Sequence, residues 1–231
     1  MDWNTLIKVA RFQLVDRTSY TALPWAILAF AFLVNLAVAA STTGNHTQIQ
    51  TGAVVAIYVF FLIVGALSIF RSLPFALALG VSRRSYYTGT VLLAVTLAVV
   101  YGLALALLQI IERATGGWGV HLHFFRVAYI LPGPWYLTWL TSFVALTLMF
   151  VYGMLVGLIY RRWNLMGLFA FAAIQATIVV AGVVAASQAY AWPAIGRFFT
   201  TIGAAGLTGL LAALAVVLLG GGYATVRRVT V

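Results

Sequence analysis

Few side chains in this sequence can do acid–base chemistry, and they lie far apart along the chain. The three acidic residues are Asp2, Asp16 and Glu112, and no two are close enough in sequence to suggest a carboxylate pair. Lys8 is the single lysine, whereas a P-loop needs a lysine within a Gly-rich loop to contact nucleotide phosphates. We therefore expect that this chain is not an enzyme and does not hydrolyse ATP itself.

The histidines are the other candidate group. His121 and His123 form an H-x-H pair, and His46 lies in an earlier polar segment. Three histidines on one side of the protein could bind zinc, but the pair lacks a fixed fourth ligand, and loop polarity explains the same residues. Serine hydrolysis needs a base beside its nucleophile, yet no histidine lies inside any apolar run. The sequence thus favours no metal site and no catalytic centre.

The elements that carry these residues are apolar. Hydrophobic residues make up 64% of the 231 residues and charged residues 7%, against about half and about a quarter in soluble domains. The apolar runs are long enough to cross a bilayer, and they are continuous rather than alternating, which favours helices over a barrel. This predicts an all-α, polytopic membrane protein with a single transmembrane domain, 1–231. Six spans are expected, at about 20–41, 52–71, 88–111, 137–160, 164–188 and 201–226.

The positive charge of the chain predicts its orientation. The net charge is +10, but the basic residues occur in ones and twos between the spans, which argues against nucleic acid as a partner. With the N-terminus in the cytoplasm, three basic residues fall outside, namely Arg113, Arg126 and Arg197. Ten fall inside, namely Lys8, Arg11, Arg17, Arg71, Arg83, Arg84, Arg161, Arg162, Arg227 and Arg228. The positive-inside rule therefore predicts that both termini are cytoplasmic.

Residues 3–17 have the pattern of an amphipathic helix. At 100° per residue, one face collects five apolar side chains, namely Trp3, Leu6, Ile7, Ala10 and Leu14. Lys8 and Arg11 lie off this face, where lipid headgroups would contact them. We expect an interfacial helix with membrane lipid as its partner; the alternative is a solvated leader.

Two of the connections between spans carry further patterns. Residues 112–136 contain glycines and prolines that break regular structure, and the aromatic patch between them predicts a short helix on the outer interface. On the other side of the membrane, Pro74 suits the first turn of a helix and Gly80 suits its end. Ser82 and two arginines follow. An exposed apolar helix of this kind is typical of a docking surface, and the alternative is an interfacial helix without a partner.

This second connection resembles the coupling loop of small, actinobacterial-type ABC-2 permeases, also called type V exporters. The matching residues are Pro74, Phe75, Ala76, Leu77, Ala78, Leu79, Gly80, Val81, Ser82, Arg83 and Arg84, within a loop at 72–87. The family has six spans, an N-terminal amphipathic elbow helix and cytoplasmic termini. It often has a re-entrant helix pair between the last two spans, whereas the corresponding connection here is short.

The resemblance implies a permease subunit in a bacterial plasma membrane. Its partners would be two copies of a separate P-loop ATPase, which bind ATP and Mg²⁺, and a second permease chain, identical or similar. This chain would bind no cofactor, and an apolar pathway favours export of a hydrophobic or amphipathic substrate. The alternatives are a non-transporting membrane scaffold and a small intramembrane enzyme.

Overall fold

A computed structural model describes residues 22–41, 49–125 and 134–228 of the chain. The expected interfacial helix, with Trp3, Leu6, Ile7, Ala10 and Leu14, lies outside the described residues, as do His46 and Arg126. The helices are α1 (Leu23–Ser41), α2 (Val55–Leu67), α3 (Leu73–Ala78), α4 (Arg83–Ala114), α5 (Trp135–Gln188) and α6 (Trp192–Arg228). Two short strands, β1 (Ile49–Gln50) and β2 (Leu122–His123), pair in parallel.

Five helical stretches in the described part of the chain are long and apolar enough to cross a membrane. They are Leu23–Ser41, Val55–Ala78, Arg83–Ala114, Trp135–Gln188 and Thr201–Tyr223. The second stretch joins α2 to α3 through a π-helical turn, Ser68–Ser72, without an interruption. The chain is therefore an all-α polytopic protein, as its continuous apolar runs predict.

Helix α5 reverses direction at one residue. Its 54 residues would extend about 80 Å as a straight helix, far more than the ~30 Å of hydrocarbon in a bilayer. Asn164 interrupts the helix, with φ 53° and ψ −153°. Beyond it, Gln175 Oε1 accepts a hydrogen bond of 2.6 Å from Tyr152 Oη, and the Phe171 ring lies 6.2 Å from the Tyr152 ring. The chain thus folds back into two antiparallel halves, the packed half (135–163) and the exposed half (165–188).

Helix α6 is also interrupted once. Gly203 has φ 63° and ψ −176°, values that suit glycine, so a first segment at 192–202 is separated from the longer apolar stretch that follows. In that stretch, Thr208 Oγ1 shares a buried hydrogen bond of 2.6 Å with Thr141 Oγ1 of the packed half. The connection that looked short in the sequence is therefore largely helical.

Close contact between α2 and the packed half forms the centre of the bundle. A Cβ atom added to Gly153 would meet the carbonyl oxygen of Leu62, and one added to Gly65 would meet the carbonyl oxygen of Phe150. A Cβ at Gly157 would lie 2.8 Å from Cβ of Ile69. Small residues let helix backbones approach closely, and such packing holds membrane helices together where the hydrophobic effect is weak.

Hydrogen bonds define which elements share an end of the bundle. At the end that contains α3, Tyr86 Oη donates to the carbonyl of Ser68 at 2.6 Å, and Tyr87 Oη donates to the carbonyl of Leu219 at 2.9 Å. We call this the arginine-rich end, because it holds Arg71, Arg83, Arg84, Arg161 and Arg162. We call the opposite end, where α4 finishes and α5 begins, the Glu112 end.

Candidate functional site

Helix α3 is short because local sequence signals define both of its ends. Pro74 lies in its first turn, where the missing N–H costs nothing. At the other end Gly80 has φ 80°, Gly80 N–H donates to the carbonyl of Leu77, and Val81 N–H donates to the carbonyl of Ala76, each at 3.0 Å. This pair of bonds is the Schellman motif, which needs a left-handed residue such as glycine. The predictions that Pro74 lies in the first turn of a helix and that Gly80 stops this helix are confirmed.

The next helix starts almost immediately. Ser82 has extended backbone angles, and its Oγ accepts a bond of 3.2 Å from the Ser85 N–H, as expected of a helix N-cap. Arg83 then begins α4. Within the expected loop at 72–87, only residues 79–82 are outside helices.

The two faces of α3 differ in burial. Leu73 and Ala76 are buried against the bundle, whereas Phe75 is 54% exposed and Leu79 is 63% exposed. We call Phe75, Ala78 and Leu79, all exposed, the apolar face of α3. Of the other matching residues, Gly80, Ser82 and Arg84 are exposed, and Pro74, Leu77, Val81 and Arg83 are half-buried. The structure thus presents an apolar surface beside basic residues at the arginine-rich end.

This surface is firmly connected to the bundle. The π-helical turn Ser68–Ser72 continues α2 directly into α3. The buried hydrogen bond from Tyr86 to the Ser68 carbonyl joins the same turn to α4. A force applied to α3 would therefore reach α2 and α4 through one continuous helix and one hydrogen bond.

A second polar centre, which the sequence did not indicate, lies at the Glu112 end. Glu112 is 1% exposed. Its Oε2 accepts hydrogen bonds from the backbone N–H groups of Phe124 at 2.9 Å and Phe125 at 2.8 Å, and from Nε1 of Trp118 at 3.4 Å. His123 Nδ1 lies 3.7 Å from Oε1. Because backbone donors occupy this carboxylate, we interpret it as the anchor of residues 117–125.

Aromatic rings also pack against residues 117–125. The ring of Phe32 in α1 lies 4.9 Å from Trp118, 5.4 Å from Phe124 and 6.0 Å from Phe125. The short interfacial helix expected between the glycines and the prolines lies partly at 126–133, outside the described residues. The described stretch before it has an irregular turn, Gly117–His121, followed by β2. Positive φ values at three glycines, Gly116, Gly117 and Gly119, keep this stretch out of a regular helix.

The histidines do not gather into a metal site in the described part of the chain. His121 is exposed, whereas His123 is largely buried beside Glu112. No group of three or more His, Cys, Asp or Glu side chains that could hold a metal ion occurs in residues 22–41, 49–125 and 134–228. The signal that could have identified the buried centre is the i, i+3 pair Gln109 and Glu112, two polar residues on one face of an apolar helix.

The polar residues within the apolar helices have different roles. Gln175 and Thr208 bond to side chains of the packed half, so they act as polar contacts between helices. Asn35 instead donates to the carbonyl of Ala31 in its own helix, at 2.8 Å. Gln109 is buried, and its amide atoms have no hydrogen-bond partner among the described residues.

The molecule therefore offers two features for function, the apolar face of α3 at one end and the buried carboxylate at the other. Comparison with known proteins finds no matching family model, no matching curated protein and no matching solved structure.

Proposed function

We propose that this chain is the membrane-spanning permease subunit of an ABC transporter, and that a separate ATPase subunit powers it. The observation that carries the proposal is the apolar face of α3, where Phe75 and Leu79 are more than half exposed at the arginine-rich end. Exposed apolar groups rimmed by polar residues are typical of protein interaction sites. The matching run at 74–84 supports an ATPase as the partner.

The proposed topology has six spans and a multi-pass arrangement in a bacterial plasma membrane. Each half of α5 exceeds the ~20 residues that a helix needs to cross, so α5 supplies the fourth and fifth spans. The positive-inside rule assigns the arginine-rich end to the cytoplasm, together with both termini. The amphipathic helix at 3–17 would lie along the same interface as an elbow helix.

In the proposed mechanism, the ATPase acts on the permease through α3. Two permease chains, identical or similar, form the pathway, and two ATPase chains bind ATP and Mg²⁺. When the ATPases close, they displace α3, and the π-helical turn and the Tyr86 bond transmit this displacement to α2 and α4. Both helices contact the packed half, α2 at Gly153 and α4 at Gly102, so their movement would change the pathway between the chains.

The proposed cargo is hydrophobic or amphipathic, and the proposed direction is export. The chain has one lysine and three acidic residues, none of which lies in the middle of an apolar run. A pathway for ions or protons usually places such groups within the spans. The apolar character of the spans instead supports a lipid, a drug or a peptide as the substrate.

The test places a charge on the apolar face of α3. A tagged chain carrying Phe75→Asp and Leu79→Asp would be purified from its own cell membranes, and co-purifying proteins with a GxxxxGK[ST] motif would be identified by mass spectrometry. We expect the wild-type chain to retain such an ATPase and the double variant to lose it at least tenfold, because desolvating two carboxylates at an apolar contact is costly.

Gly52→Asp is the matched control for added charge. Gly52 lies at the Glu112 end, and a Cβ added there would have no heavy atom within 4 Å, so this variant should keep the ATPase. Equal retention by the control and the double variant would contradict the proposal. A wild-type chain that retains no P-loop protein would favour the scaffold instead.

A further inference from the structure

An apolar groove lies between the two halves of α5, next to the turn at Asn164. Its volume is about 470 Å³, within the ~300–1,000 Å³ typical of ligand pockets. The lining residues are Ile159 and Trp163 from the packed half, and Met166, Gly167, Ala170, Phe171 and Ile174 from the exposed half. Every one of these side chains is apolar, so the groove would accept hydrocarbon.

Gly167 allows the two halves to approach each other closely at the groove. A Cβ added to Gly167 would collide with Cβ of Trp163, so the two halves approach this closely only because position 167 is glycine. Trp163 then forms one wall, and the Arg162 guanidinium lies 4.8 Å from the centre of its ring. A cation therefore lies beside one wall of an apolar groove.

No carboxylate of the described residues can neutralise this cation. Glu112 is the only acidic residue in the described part of the chain, and it lies at the opposite end of the bundle, bonded to Phe124 and Phe125. In addition, Nη1 of the neighbouring Arg161 is buried without a hydrogen-bond partner among the described residues. An anionic partner for this turn would therefore come from outside the described residues.

Along the exposed half, the lining of the groove reaches to the depth of about one leaflet of a bilayer. From Asn164 to Ile174 the exposed half rises about 15 Å, at 1.5 Å per residue. The hydrocarbon of a bilayer is ~30 Å thick, so one leaflet supplies about the same depth. Arginine and tryptophan beside the turn are the residues expected at the level of the headgroups.

We infer that this groove is a binding site for an anionic phospholipid of the surrounding membrane. One acyl chain would lie between the two halves of α5, and the headgroup phosphate would pair with Arg162. Charge complementarity selects the anionic headgroup, and the apolar lining with its depth selects a lipid over a free phosphate. This inference needs only that the chain is membrane-embedded, and it holds whether or not an ATPase docks on α3.

The experiment measures lipid that stays bound to the full-length chain. The protein would be reconstituted with equal amounts of phosphatidylglycerol and phosphatidylcholine that carry identical acyl chains. It would then be extracted in mild detergent, and native mass spectrometry would count the lipids retained per chain. We expect the wild type to retain phosphatidylglycerol in preference to phosphatidylcholine.

Two variants test separately how the headgroup and the acyl chain contribute to lipid retention. Arg162→Gln should lower phosphatidylglycerol retention about fivefold and leave phosphatidylcholine unchanged, as expected for one basic residue at an anionic surface. Ala170→Phe should fill the groove and lower retention of both lipids. The matched controls are Arg71→Gln, which removes a charge at the same end, and Ala172→Phe, which enlarges an exposed residue outside the groove.

Three results would overturn the inference. The first is equal retention of the two lipids by the wild type, and the second is a loss in the controls as large as in the variants. The third is occupation of the groove by a second copy of the chain. The natural sequence has no cysteine, so a single Ala170→Cys variant can report this directly. Oxidation to a covalent dimer would identify a partner copy, whereas a monomer agrees with a lipid.

Discussion

The two halves of α5 are both apolar but opposite in burial. Every buried residue of this helix lies between Thr138 and Leu158, within the packed half. The exposed half has no buried residue, and Met166 reaches 82% exposure. Both halves are apolar enough to sit in a bilayer, so hydropathy alone does not distinguish a helix at the centre of the bundle from one at its surface.

The placement of glycine accounts for the difference. Gly153 and Gly157 are one helical turn apart, and both face α2 at distances that exclude a Cβ atom. In the exposed half, a Cβ added to Gly167 would meet only atoms of its own hairpin, from Trp163 and Ile159, and one added to Gly182 would have no heavy atom within 4 Å. Lipid solvates apolar side chains as well as protein does, so close backbone approach decides which helices associate.

The largest predicted effect comes from removing the Glu112 carboxylate, which lies near the start of the packed half. The packed half begins beside the segment that Glu112 anchors, and Glu112→Ala would leave two buried N–H groups, of Phe124 and Phe125, without their acceptor. We expect a loss of about 4 kcal/mol of unfolding free energy, at ~1–3 kcal/mol for each group. This loss of unfolding free energy can be measured by unfolding the protein in mixed detergent micelles while tryptophan fluorescence is monitored.

The control for this variant lies at the end of the exposed half. Ser187 Oγ accepts a single exposed bond of 3.1 Å from Nε1 of Trp192, so Ser187→Ala should cost less than ~0.5 kcal/mol. Similar losses for Glu112→Ala and Ser187→Ala would show that the carboxylate does not anchor its segment. Hydrogen exchange at Phe124 and Phe125 should accelerate only in the first variant.

The second predicted effect tests the glycine explanation directly. Gly153→Ala should destabilise the protein by about 2 kcal/mol, because the new Cβ would meet the backbone carbonyl of Leu62, which cannot rotate away. Gly182→Ala adds the same atom in open space and should be neutral or stabilising by up to ~1 kcal/mol. The same unfolding measurement compares them. Equal effects of the two substitutions would refute the role assigned to close packing.

The third predicted effect concerns the turn between the halves. Asn164 has φ 53° and ψ −153°, a region that is essentially restricted to glycine and costs other residues about 1–3 kcal/mol. Asn164→Gly should therefore stabilise the protein by about 1 kcal/mol. Gly203, the corresponding break in α6, already is glycine, so Gly203→Asn should shift the unfolding free energy by a similar amount in the opposite direction. A loss on Asn164→Gly would mean that the asparagine side chain itself holds the turn.

The smallest predicted effect compares single hydrogen bonds made by the packed half. Thr141 bonds to Thr208 in a buried site, and Tyr152 bonds to Gln175 in an exposed one, both at 2.6 Å. Double-mutant cycles with Thr141→Val and Thr208→Val, and with Tyr152→Phe and Gln175→Leu, isolate each coupling energy. We expect about 0.6 kcal/mol for the buried pair, typical of membrane proteins, and less for the exposed pair. The reverse order would contradict the burial assigned to the two halves.

Much of the helical architecture could be predicted from sequence, because hydropathy and turn chemistry are local. The continuous apolar runs identify the class of fold. Pro74 correctly indicates the first turn of α3, and Gly80 correctly indicates its end. The halves of α5 follow the expected runs at 137–160 and 164–188, although the structure joins them across Asn164. These features depend only on residues that are close together in the sequence, so a single sequence is enough to predict them.

The features that the sequence did not reveal depend on contacts between distant residues. From sequence, Glu112 lies in the connection that follows an apolar run, and only the contacts with Phe124 and Phe125 make it a buried anchor. Likewise, nothing local distinguishes Gly153 from Gly182 until α2 is placed against one of them. The sequence predicts an exposed apolar helix at α3, while the proposed partner of this helix rests on the resemblance of residues 74–84.

The strand pair between β1 and β2 has a consequence for how the chain is made. Ile49 pairs with Leu122, so this contact cannot form until the residues of α2, α3 and α4 have been synthesised. At about 5–20 residues per second, the ribosome needs roughly 4–15 s to cover that interval. During this time α1 lacks its contacts with Phe124 and Phe125. The helices made first must therefore remain in the membrane without the contacts that complete the Glu112 end of the bundle.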